Sequence, residues 1–403
     1  MSSSLAFDDK LDALKNALIY ESANQEFYIE GGLQFDLTSY YTDNSDLNPP
    51  GFFFPEGGKS VDWSPRVTAT VDTWLGDKWY GFIKWRWDDG VHPGLARFYG
   101  TDNFDFRFDE VFVRYEAAGP ALQLQVGRFV PIMGNFLGRQ SNWDSGLISY
   151  PIHYNQVTSV SDQLVAADAD AFVSRRNVKD FPNKVSWLPA YWAQLYNQGA
   201  AVFGIKDKWD YSLNFMNTAP SSRGTVWNEF DWSDPTYMAS LGYSPNAAWR
   251  VGLTGTYGAY FQEGSEANLP AGTDIGDFMQ TNLGVDLTWK KGHWSVWAEL
   301  VYSDFEVPNV NDTVAFWSYF IEAQYAFKPR WWVSARWNEQ IYNKVSTSAG
   351  SEKWDNDLYR IDLGLGHRIS RHAQVRLQYS YQQQDADFQN AENFAVVEFS
   401  LKL

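Results

Sequence analysis

Apolar and polar residues alternate with a period of two along most of this chain. Near the start of the pattern, Phe27, Ile29 and Phe35 stand at odd positions, with Glu30 and Asp36 at even positions between them. The alternation returns in about sixteen segments up to the C-terminus. Because successive side chains of a β-strand point to opposite faces, each segment is predicted to be a strand with one apolar and one polar face.

The connections between these segments alternate strictly between short and long. The short ones are residues 76–77, 118–120, 206–207, 245–246, 290–293, 328–330 and 370–371. The long ones are residues 43–63, 88–105, 131–191, 218–235, 261–278, 303–313, 341–356 and 385–392. This layout is typical of an all-β, antiparallel transmembrane β-barrel, with short periplasmic turns and long extracellular loops. A β-propeller would instead repeat every four strands, and the sequence has no such repeat.

Aromatic residues bracket the apolar face of several predicted strands. Trp249 and Tyr257 enclose Val251, Leu253 and Gly255, and later segments share this arrangement. Eight residues of tilted strand climb roughly 21 Å, close to the apolar band of about 25 Å that aromatic girdles flank in such barrels. Aromatic residues make up 18% of the chain although its mean hydropathy is -0.41, as expected when lipid-facing and lumen-facing residues alternate. The sequence contains no apolar run of about eighteen residues, which excludes a helical membrane protein.

A short amphipathic helix is predicted before the first strand. Leu11, Leu14 and Leu18 recur at helical spacing, and Asp8 and Asp9 are expected in the first turn, where carboxylates favour the positive end of the helix dipole. We expect the helix to pack as an N-terminal cap. An oligomer contact and a plug at the barrel mouth are the alternatives.

The chain is therefore divided into an N-terminal segment, residues 1–25, and a barrel, residues 26–403. Residues 131–191 are too long for an ordinary connection and too rich in aromatic residues for a disordered one. We expect this segment to fold into the lumen and to form the constriction. The charged residues predicted at the constriction are Arg139, Arg175, Arg176, Lys179, Asp168 and Asp170. Their bases are expected to face acids of the wall.

The polar faces of the strands predict a lumen wall that carries both signs of charge. The predicted wall residues are Arg66, Lys84, Arg86, Glu110, Arg114, Arg250, Glu299, Glu322, Arg336, Arg360 and Arg376. They form either a solvated wall of mutually screening charges or a transverse field across the pore, because sequence does not place them around the circumference.

The composition excludes several classes of function. The chain has no cysteine, which excludes disulfides, zinc–thiolate clusters and thiol nucleophiles. Its formal net charge of -17 argues against a nucleic-acid partner, since the phosphate backbone requires a basic surface. No Gly-x-Ser-x-Gly motif, haem motif or complete calcium loop is present, so neither an enzyme nor a cofactor nor a metal site is expected.

These features predict a channel for passive diffusion of small hydrophilic solutes or ions. Acidic long loops are expected to concentrate cations at the mouth. A sugar-binding channel is the first alternative, because predicted inward aromatics can stack on pyranose faces. These aromatics are Trp74, Phe82, Phe112, Trp297 and Trp332. A barrel that houses a partner protein is the second alternative.

The stretch from Val126 to Gly134 resembles the strand-to-loop signature of the phosphate-selective porins of the O and P type, through Gly127, Phe129 and Pro131 as well as Gly134. This resemblance implies a Gram-negative outer-membrane porin, a homotrimer, and a third loop folded inward. Those anion channels are basic, whereas this chain has a pI of about 4.7, so phosphate selectivity is not expected here. The chain also ends in Leu403, where phenylalanine is usual.

The resemblance further implies a location in the bacterial outer membrane, with membrane lipid and lipopolysaccharide as partners. Met1 to Ser4 are followed by no apolar stretch of a signal peptide. We therefore expect that the export signal has been removed and that these first residues were added as a start for expression.

Overall fold

The computed structural model describes residues 2–42, 61–88, 105–141, 143–178, 186–192, 196–222, 232–262, 265, 269–386 and 391–403. Its helices are α1 (Ser2–Ala17) and α2 (Ala169–Ser174), with short 3-10 turns at Leu137–Arg139, Ile152–Tyr154, Arg175–Asn177 and Ile275–Asp277. Its strands are β1 (Ile19–Glu21), β2 (Phe27–Thr42), β3 (Val61–Leu75), β4 (Trp79–Asp88), β5 (Asp105–Glu116), β6 (Gln123–Phe129), β7 (Asn197–Lys206), β8 (Trp209–Met216), β9 (Thr236–Asn246), β10 (Trp249–Ala259), β11 (Met279–Lys291), β12 (Trp294–Phe305), β13 (Val314–Lys328), β14 (Trp331–Tyr342), β15 (Lys344–Thr347), β16 (Gly350–Lys353), β17 (Leu358–Arg368), β18 (Ala373–Gln384) and β19 (Ala391–Lys402).

Sixteen of the strands within the described residues close into an antiparallel barrel. Each barrel strand pairs with the next one along the chain, and β19 closes the ring by pairing with β2 from Phe394↔Thr42 to Lys402↔Gln34. The predicted barrel of about sixteen strands is confirmed. Two further elements lie outside the ring: β1 pairs with β2, and β15 and β16 form a separate hairpin.

Short and long connections alternate around the barrel as predicted. The short turns place residues such as Asp207 (φ 56°) and Arg330 (φ 70°) in the left-handed region, which tight hairpins require. Most of the long connections 43–63 and 88–105 lie outside the described residues. Because the strands are antiparallel and follow one another around the ring, the strand ends that lead into the long connections lie at one end of the barrel.

The two faces of each strand differ as the alternation predicts. On β13, Trp317 and Ile321 are exposed on the outer face, whereas Ser318, Phe320 and Glu322 are fully buried on the inner face. Closed pairing satisfies the backbone hydrogen bonds, so an apolar exterior is compatible with lipid. Most of the buried apolar core lies inside the barrel, between the strands and the long connection that follows β6.

Helix α1 lies at the short-turn end of the barrel. Leu11 is buried, and Asp12 forms an ion pair with Arg371 and lies within hydrogen-bonding distance, 2.8 Å, of Nε2 of His372 in the turn before β18. The expected helix is confirmed. The placement of Asp8 in its first turn was wrong, because the helix begins at Ser2 and has no acidic residue in that turn. Among the described residues, neither helix is long and apolar enough to cross a membrane.

The strand after the long insertion begins later than the sequence predicts. The alternation suggested a start at Trp192, but β7 begins at Asn197. The backbone N–H of Trp192 donates to the carbonyl of Pro220 at 2.7 Å, and that of Tyr191 donates to the carbonyl of His153 at 2.9 Å. These residues therefore belong to the connection between β6 and β7 rather than to the strand ladder. The described part of this connection is called the inward segment below.

Candidate functional site

The candidate functional site is the barrel lumen, and its shape depends on the segment that follows β6. Gly127 adopts φ 137°, and a Cβ at this position would lie 2.3 Å from the carbonyl oxygen of Val111. Gly134 adopts φ 60°, where a Cβ would lie 2.8 Å from Oε1 of Glu299. Both positions therefore require glycine, which explains why the Val126 to Gly134 stretch turns the chain into the lumen.

Glu299 on β12 holds the first part of the inward segment. Its Oε1 accepts the backbone N–H groups of Asn135 at 2.6 Å and Phe136 at 2.8 Å. Its Oε2 lies 3.1 Å from Nε2 of His153 and accepts the hydroxyl of Tyr154 at 2.8 Å. A buried carboxylate with several donors is stabilised in its charged form, so this wall residue fixes the segment in place.

Arg139 forms the second attachment. Its guanidinium donates to both oxygens of Glu322 on β13, at 2.7 and 3.2 Å, and lies 4.3 Å from the centre of the Trp297 ring. Glu322 also accepts from Arg336 at 3.2 Å, and Arg336 bonds Asp362 at 2.9 Å. The four charged groups form one buried network that alternates in sign, which is how buried charges are tolerated.

Three arginines of the wall bind carbonyl oxygens of the inward segment. Arg336 donates to the carbonyl of Ser149 at 2.7 Å, Arg360 donates to that of Tyr150, and Arg376 donates to those of Ser145 and Leu147 at 2.9 and 2.8 Å. These cations are buried, so they hold the segment rather than face a solute. The segment is thus fastened to the wall of β12 to β18.

The outer part of the segment contacts the hairpin of β15 and β16. Arg176 pairs with Glu352 at 2.8 Å, and the carboxylate of Asp170 accepts from the hydroxyl of Ser348 at 2.9 Å. Arg175 donates to the carbonyl of Leu164 at 3.0 Å, and burial lowers the pKa of its guanidinium. Asp168 caps α2 by accepting the N–H of Ala171 at 2.8 Å. Arg176 and Asp170 therefore connect the segment to the long loop that carries β15 and β16, whereas Arg175 and Asp168 bond within the segment.

A cavity of about 400 Å³ remains between the inward segment and the opposite wall. The charged residues that line it come from β2 to β5: Asp36, Arg66, Lys84, Arg86, Asp109 and Glu110. The residues that line it from the inward segment include Pro131, Ile132, Met133, Gly134, Leu137 and Gly138, and none of the lining residues on that side is charged. One face of the cavity is therefore charged and the other is neutral and partly apolar.

On the wall of β2 to β5, called the open wall here, acids and bases contact one another in a row. Asp88 lies 2.8 Å from Nε of Arg66, 3.0 Å from Nε of Arg86 and 2.7 Å from Nη2 of Arg107. Arg86 also lies 3.5 Å from Asp109. This row is nearly solvent-free, so its electrostatic interactions are stronger than those of exposed pairs.

Lys84 contacts two other residues, Tyr196 and Glu110. Its ammonium group donates to the hydroxyl of Tyr196 at 2.9 Å and lies 3.4 Å from Glu110. Tyr196 lies just before β7, which places the end of the inward segment against the open wall.

The structure brings together only some of the residues predicted for the site. Among the predicted wall residues, Arg66, Lys84, Arg86 and Glu110 line the cavity. Arg114 lies towards the short-turn end, where it donates to Gln125 at 2.9 Å. Arg250 lies on another wall, in ion pairs with Asp210 at 2.6 Å and Asp286 at 2.5 Å.

The remaining predicted residues lie away from the cavity lining. Glu299, Glu322, Arg336, Arg360 and Arg376 bind the inward segment, as described above. Arg139 belongs to that segment, but its side chain contacts Glu322 on the wall instead of the cavity. Arg175, Arg176, Asp168 and Asp170 lie in the outer part of the segment. Lys179 lies outside the described residues.

Four residues of the site were not among the predicted site residues. Asp36 lines the cavity from the polar face of β2, where its even position had placed it, but it was not included. Asp88 was assigned to a long loop, although its even position matches Lys84 and Arg86 on the polar face. Asp109 lies at a register shift between β4 and β5, so two successive residues line the cavity and the simple alternation fails. The contact of Tyr196 depends on the three-dimensional path of the inward segment, which the alternation does not encode.

The sequence matches no protein-family model and no curated protein. Solved structures with a similar fold include an anion-selective porin from Comamonas acidovorans, at 11% identity and a TM-score of 0.57, covering 94% of this chain and 100% of that chain. This chain has the fold of outer-membrane porins. The outer membrane channel DcaP of Acinetobacter baumannii is similar at 8% identity and a TM-score of 0.58, covering 95% and 99% of the two chains. The trimer form of OmpT, an outer membrane protein of Vibrio cholerae, is similar at 10% identity and a TM-score of 0.57, covering 94% and 99%.

Proposed function

We propose that this protein is a passive diffusion channel for small hydrophilic solutes and ions in a bacterial outer membrane. The observation that carries the proposal is the charged cavity of about 400 Å³ inside a closed barrel. The inward segment is bound to the wall of β12 to β18, so the space along β2 to β5 is the route that it leaves. Balanced charges on that wall keep the route polar.

The proposed channel has no catalytic step. His153 and Glu299 are 3.1 Å apart, which is the kind of pair that an enzyme would use. Both side chains are buried, and Glu299 also accepts two backbone N–H groups of the inward segment. A structural role as an anchor accounts for these contacts.

A weak preference for cations is part of the proposal. The formal net charge of -17 and the acidic residues of the extracellular loops favour cations at the mouth. In the cavity the lining charges cancel, because the wall of β2 to β5 carries three bases and three acids. The hydrogen bonds donated by Ser346 lower the pKa of Asp312, so this loop carboxylate keeps its charge to a lower pH than an ordinary aspartate.

We further propose a homotrimer in contact with outer-membrane lipid and lipopolysaccharide. The exposed outer face, with aromatic residues such as Trp249 and Tyr257 at both ends of β10, supports the lipid contact. The trimer form of OmpT supports the oligomer by similarity of fold. Cross-linking of the detergent-solubilised protein tests the oligomer, and a product no larger than a monomer would contradict it.

Planar-bilayer recording of the purified protein in a salt gradient tests the proposed function. We expect discrete conductance steps and a reversal potential of the sign that cations produce. A reversal potential of the opposite sign would remove the cation preference but keep the channel. A complete lack of conductance would contradict the channel and favour the barrel that houses a partner protein.

A sugar-binding channel is the second candidate, and a row of aromatic side chains favours it. Next to the cavity, towards the short-turn end, Trp74 lies 5.2 Å from both Tyr28 and Tyr80, while Phe82 lies 5.4 Å from Phe112, measured between ring centres. Rings on adjacent strands can stack on sugar faces, and of this row only Phe112 is buried while the other four are half-buried. Saturable blockade of the ion current by millimolar maltooligosaccharides would support this candidate, and unchanged current would exclude it.

Two other predicted inward aromatics do not belong to this row. Trp297 lies beneath Arg139, and the indole N–H of Trp332 donates to the carbonyl of Gly146 at 3.3 Å. Both rings are covered by the inward segment, so substitution of Trp297 is not expected to change sugar binding through ring stacking.

A further inference from the structure

The inner face of the open wall changes from charged to aromatic towards the short-turn end of the barrel. Tyr28, Trp74 and Tyr80 are neighbours across β2, β3 and β4, with ring centres 5.2 Å apart in both pairs and ring planes tilted by 60° and 52°. They stand at even positions, as do Arg66 and Lys84, which line the cavity from β3 and β4. All three side chains are half-buried, so each keeps accessible surface towards the lumen.

Two carboxylates stand opposite each other at the next inner-face position above these rings. Glu30 on β2 pairs with Asp72 on β3, and both residues are half-buried. Like charges at a directly opposed pair repel each other, so a cation close to them is stabilising. Lys15 of α1 supplies one such cation, since its ammonium group lies 3.5 Å from Glu30.

Asp72 has no base of its own. Among the described residues, no lysine or arginine lies within ion-pairing distance of its carboxylate, and Lys402 interacts with it only over a longer distance. The hydroxyl of Tyr80 donates to Oδ1 at 2.5 Å, which places the carboxylate at the edge of the ring row. The other oxygen, Oδ2, accepts from no described residue and is accessible. A solute in the lumen can therefore reach this charge.

One end of this aromatic surface already holds a cation of the protein. The guanidinium carbon of Arg114 lies 5.3 Å from the ring centre of Tyr80 and 5.0 Å from that of Phe203. Arg114 pairs with Tyr80 from β5, whereas Trp74 and Tyr28 lie on the other side of Tyr80. Within the described part of the chain, no lysine or arginine is placed over these last two rings. Their faces, which attract cations, are left for a ligand.

We propose that Asp72, Trp74 and Tyr28 form a binding site for small organic cations, such as alkylamines and quaternary ammonium compounds. The alkyl groups around the nitrogen contact the two rings, and the positive charge pairs with Asp72. Aromatic side chains commonly recognise quaternary ammonium groups in this way. Asp72 and Glu30 repel anions from the same place. The inference rests on the proposed channel function, which it deepens by naming a class of solute.

Three solutes separate the charge from the alkyl groups. Choline has both, 3,3-dimethyl-1-butanol has the same shape without the charge, and ammonium has the charge without the alkyl groups. Binding is measured by calorimetry on the wild-type protein in a polyoxyethylene detergent, which carries neither sugar nor ammonium groups. We expect choline to bind at least about tenfold more tightly than the other two, equivalent to ~1.4 kcal/mol. Equal affinity of choline and either comparator would overturn the inference.

Two variants test the carboxylate and the ring. Asp72→Asn keeps an oxygen for the Tyr80 hydroxyl and should weaken choline binding about threefold or more, because it removes the ion pair. Trp74→Leu should weaken it to a similar extent, because it removes the larger ring face. If Trp74→Leu fails to fold, Asp72→Asn alone decides. Choline binding by Asp72→Asn with wild-type affinity would overturn the inference.

Each variant has a matched control at the same end of the barrel. Asp77→Asn removes a carboxylate from the exposed turn after β3, and Trp79→Leu removes an exposed ring from the outer face of β4. Both should bind choline like the wild-type protein, and equal losses in the controls would overturn the site. Asp72→Asn also separates this site from a sugar site on the same rings, since a neutral sugar needs no ion pair.

The two levels of the proposal fail in different ways. A protein that conducts ions but does not distinguish choline from its uncharged analogue keeps the channel function and overturns the organic-cation site. A protein that binds choline through Asp72 but does not conduct ions in planar bilayers keeps the site and overturns the channel function.

Discussion

Arg139 in the inward segment and Glu322 on β13 form a two-point ion pair, with N–O distances of 2.7 and 3.2 Å. Both residues are buried, and the Arg139 guanidinium lies on the Trp297 ring at 4.3 Å. Arg139, a base predicted for the constriction and expected to face an acid of the wall, thus fastens the segment to the wall and does not line the cavity. The position of the cavity follows from this, because the segment is held away from β2 to β5.

The first prediction concerns this pair. Glu322→Gln should loosen the inward segment, because it leaves Arg139 and Arg336 without their shared carboxylate, and removing one partner of a buried pair costs about 3–5 kcal/mol. We expect noisier single-channel currents and a lower unfolding temperature. Glu352→Gln is the control, since its pair with Arg176 is partly exposed and such pairs contribute about 0–1 kcal/mol. Equal effects of the two variants would contradict the anchoring role of Glu322.

The barrel was predictable from the sequence because its two determinants are local. Alternation defines which face of each strand meets lipid, and turn residues define where a strand ends. For the same reason the alternation correctly placed Arg66, Lys84 and Arg86, which stand at even positions, on the inner face.

Pairings inside the lumen were not predictable from the sequence. Whether an inward cation meets a solute or a carbonyl depends on the path of the inward segment. Arg336 and Arg66 both stand at even positions on the inner face, yet Arg336 binds Ser149 while Arg66 lines the cavity. The register shift next to Asp109 is likewise a property of two paired strands rather than of one sequence segment.

The second prediction concerns the glycine at the base of the inward segment. Gly127→Ala should reduce the yield of folded barrel, because its Cβ would lie 2.3 Å from the carbonyl oxygen of Val111 at φ 137°. Gly138→Ala is the matched control, since a Cβ there meets nothing within 4 Å. Folded protein is measured by mobility on unheated SDS gels. A Gly127→Ala protein that folds as well as Gly138→Ala would contradict the steric argument.

The third prediction concerns the paired bases of the outer segment. The double variant Arg175→Ala, Arg176→Ala should keep the ion selectivity, because Arg176 binds Glu352 and neither base lines the cavity. A constriction formed by these bases would instead change both conductance and selectivity. Lys84→Gln is the positive control, since removal of a lining cation should shift the reversal potential towards greater cation selectivity. A similar shift in the double variant would place the bases at the conducting route.

The fourth prediction tests whether conduction requires the inward segment to move. A Cβ at Gly146 would lie 2.5 Å from Oγ of Ser334 on β14, so Gly146→Cys with Ser334→Cys should form a disulfide once the Gln324 side chain shifts. The chain has no other cysteine, which makes the bond unambiguous. Because the segment is already fastened to this wall, oxidised and reduced channels should have equal conductance, and the oxidised bond should suppress the noise caused by Glu322→Gln. Each single cysteine variant serves as the control. A conductance that returns only after reduction would show that the segment must leave the wall for ions to pass.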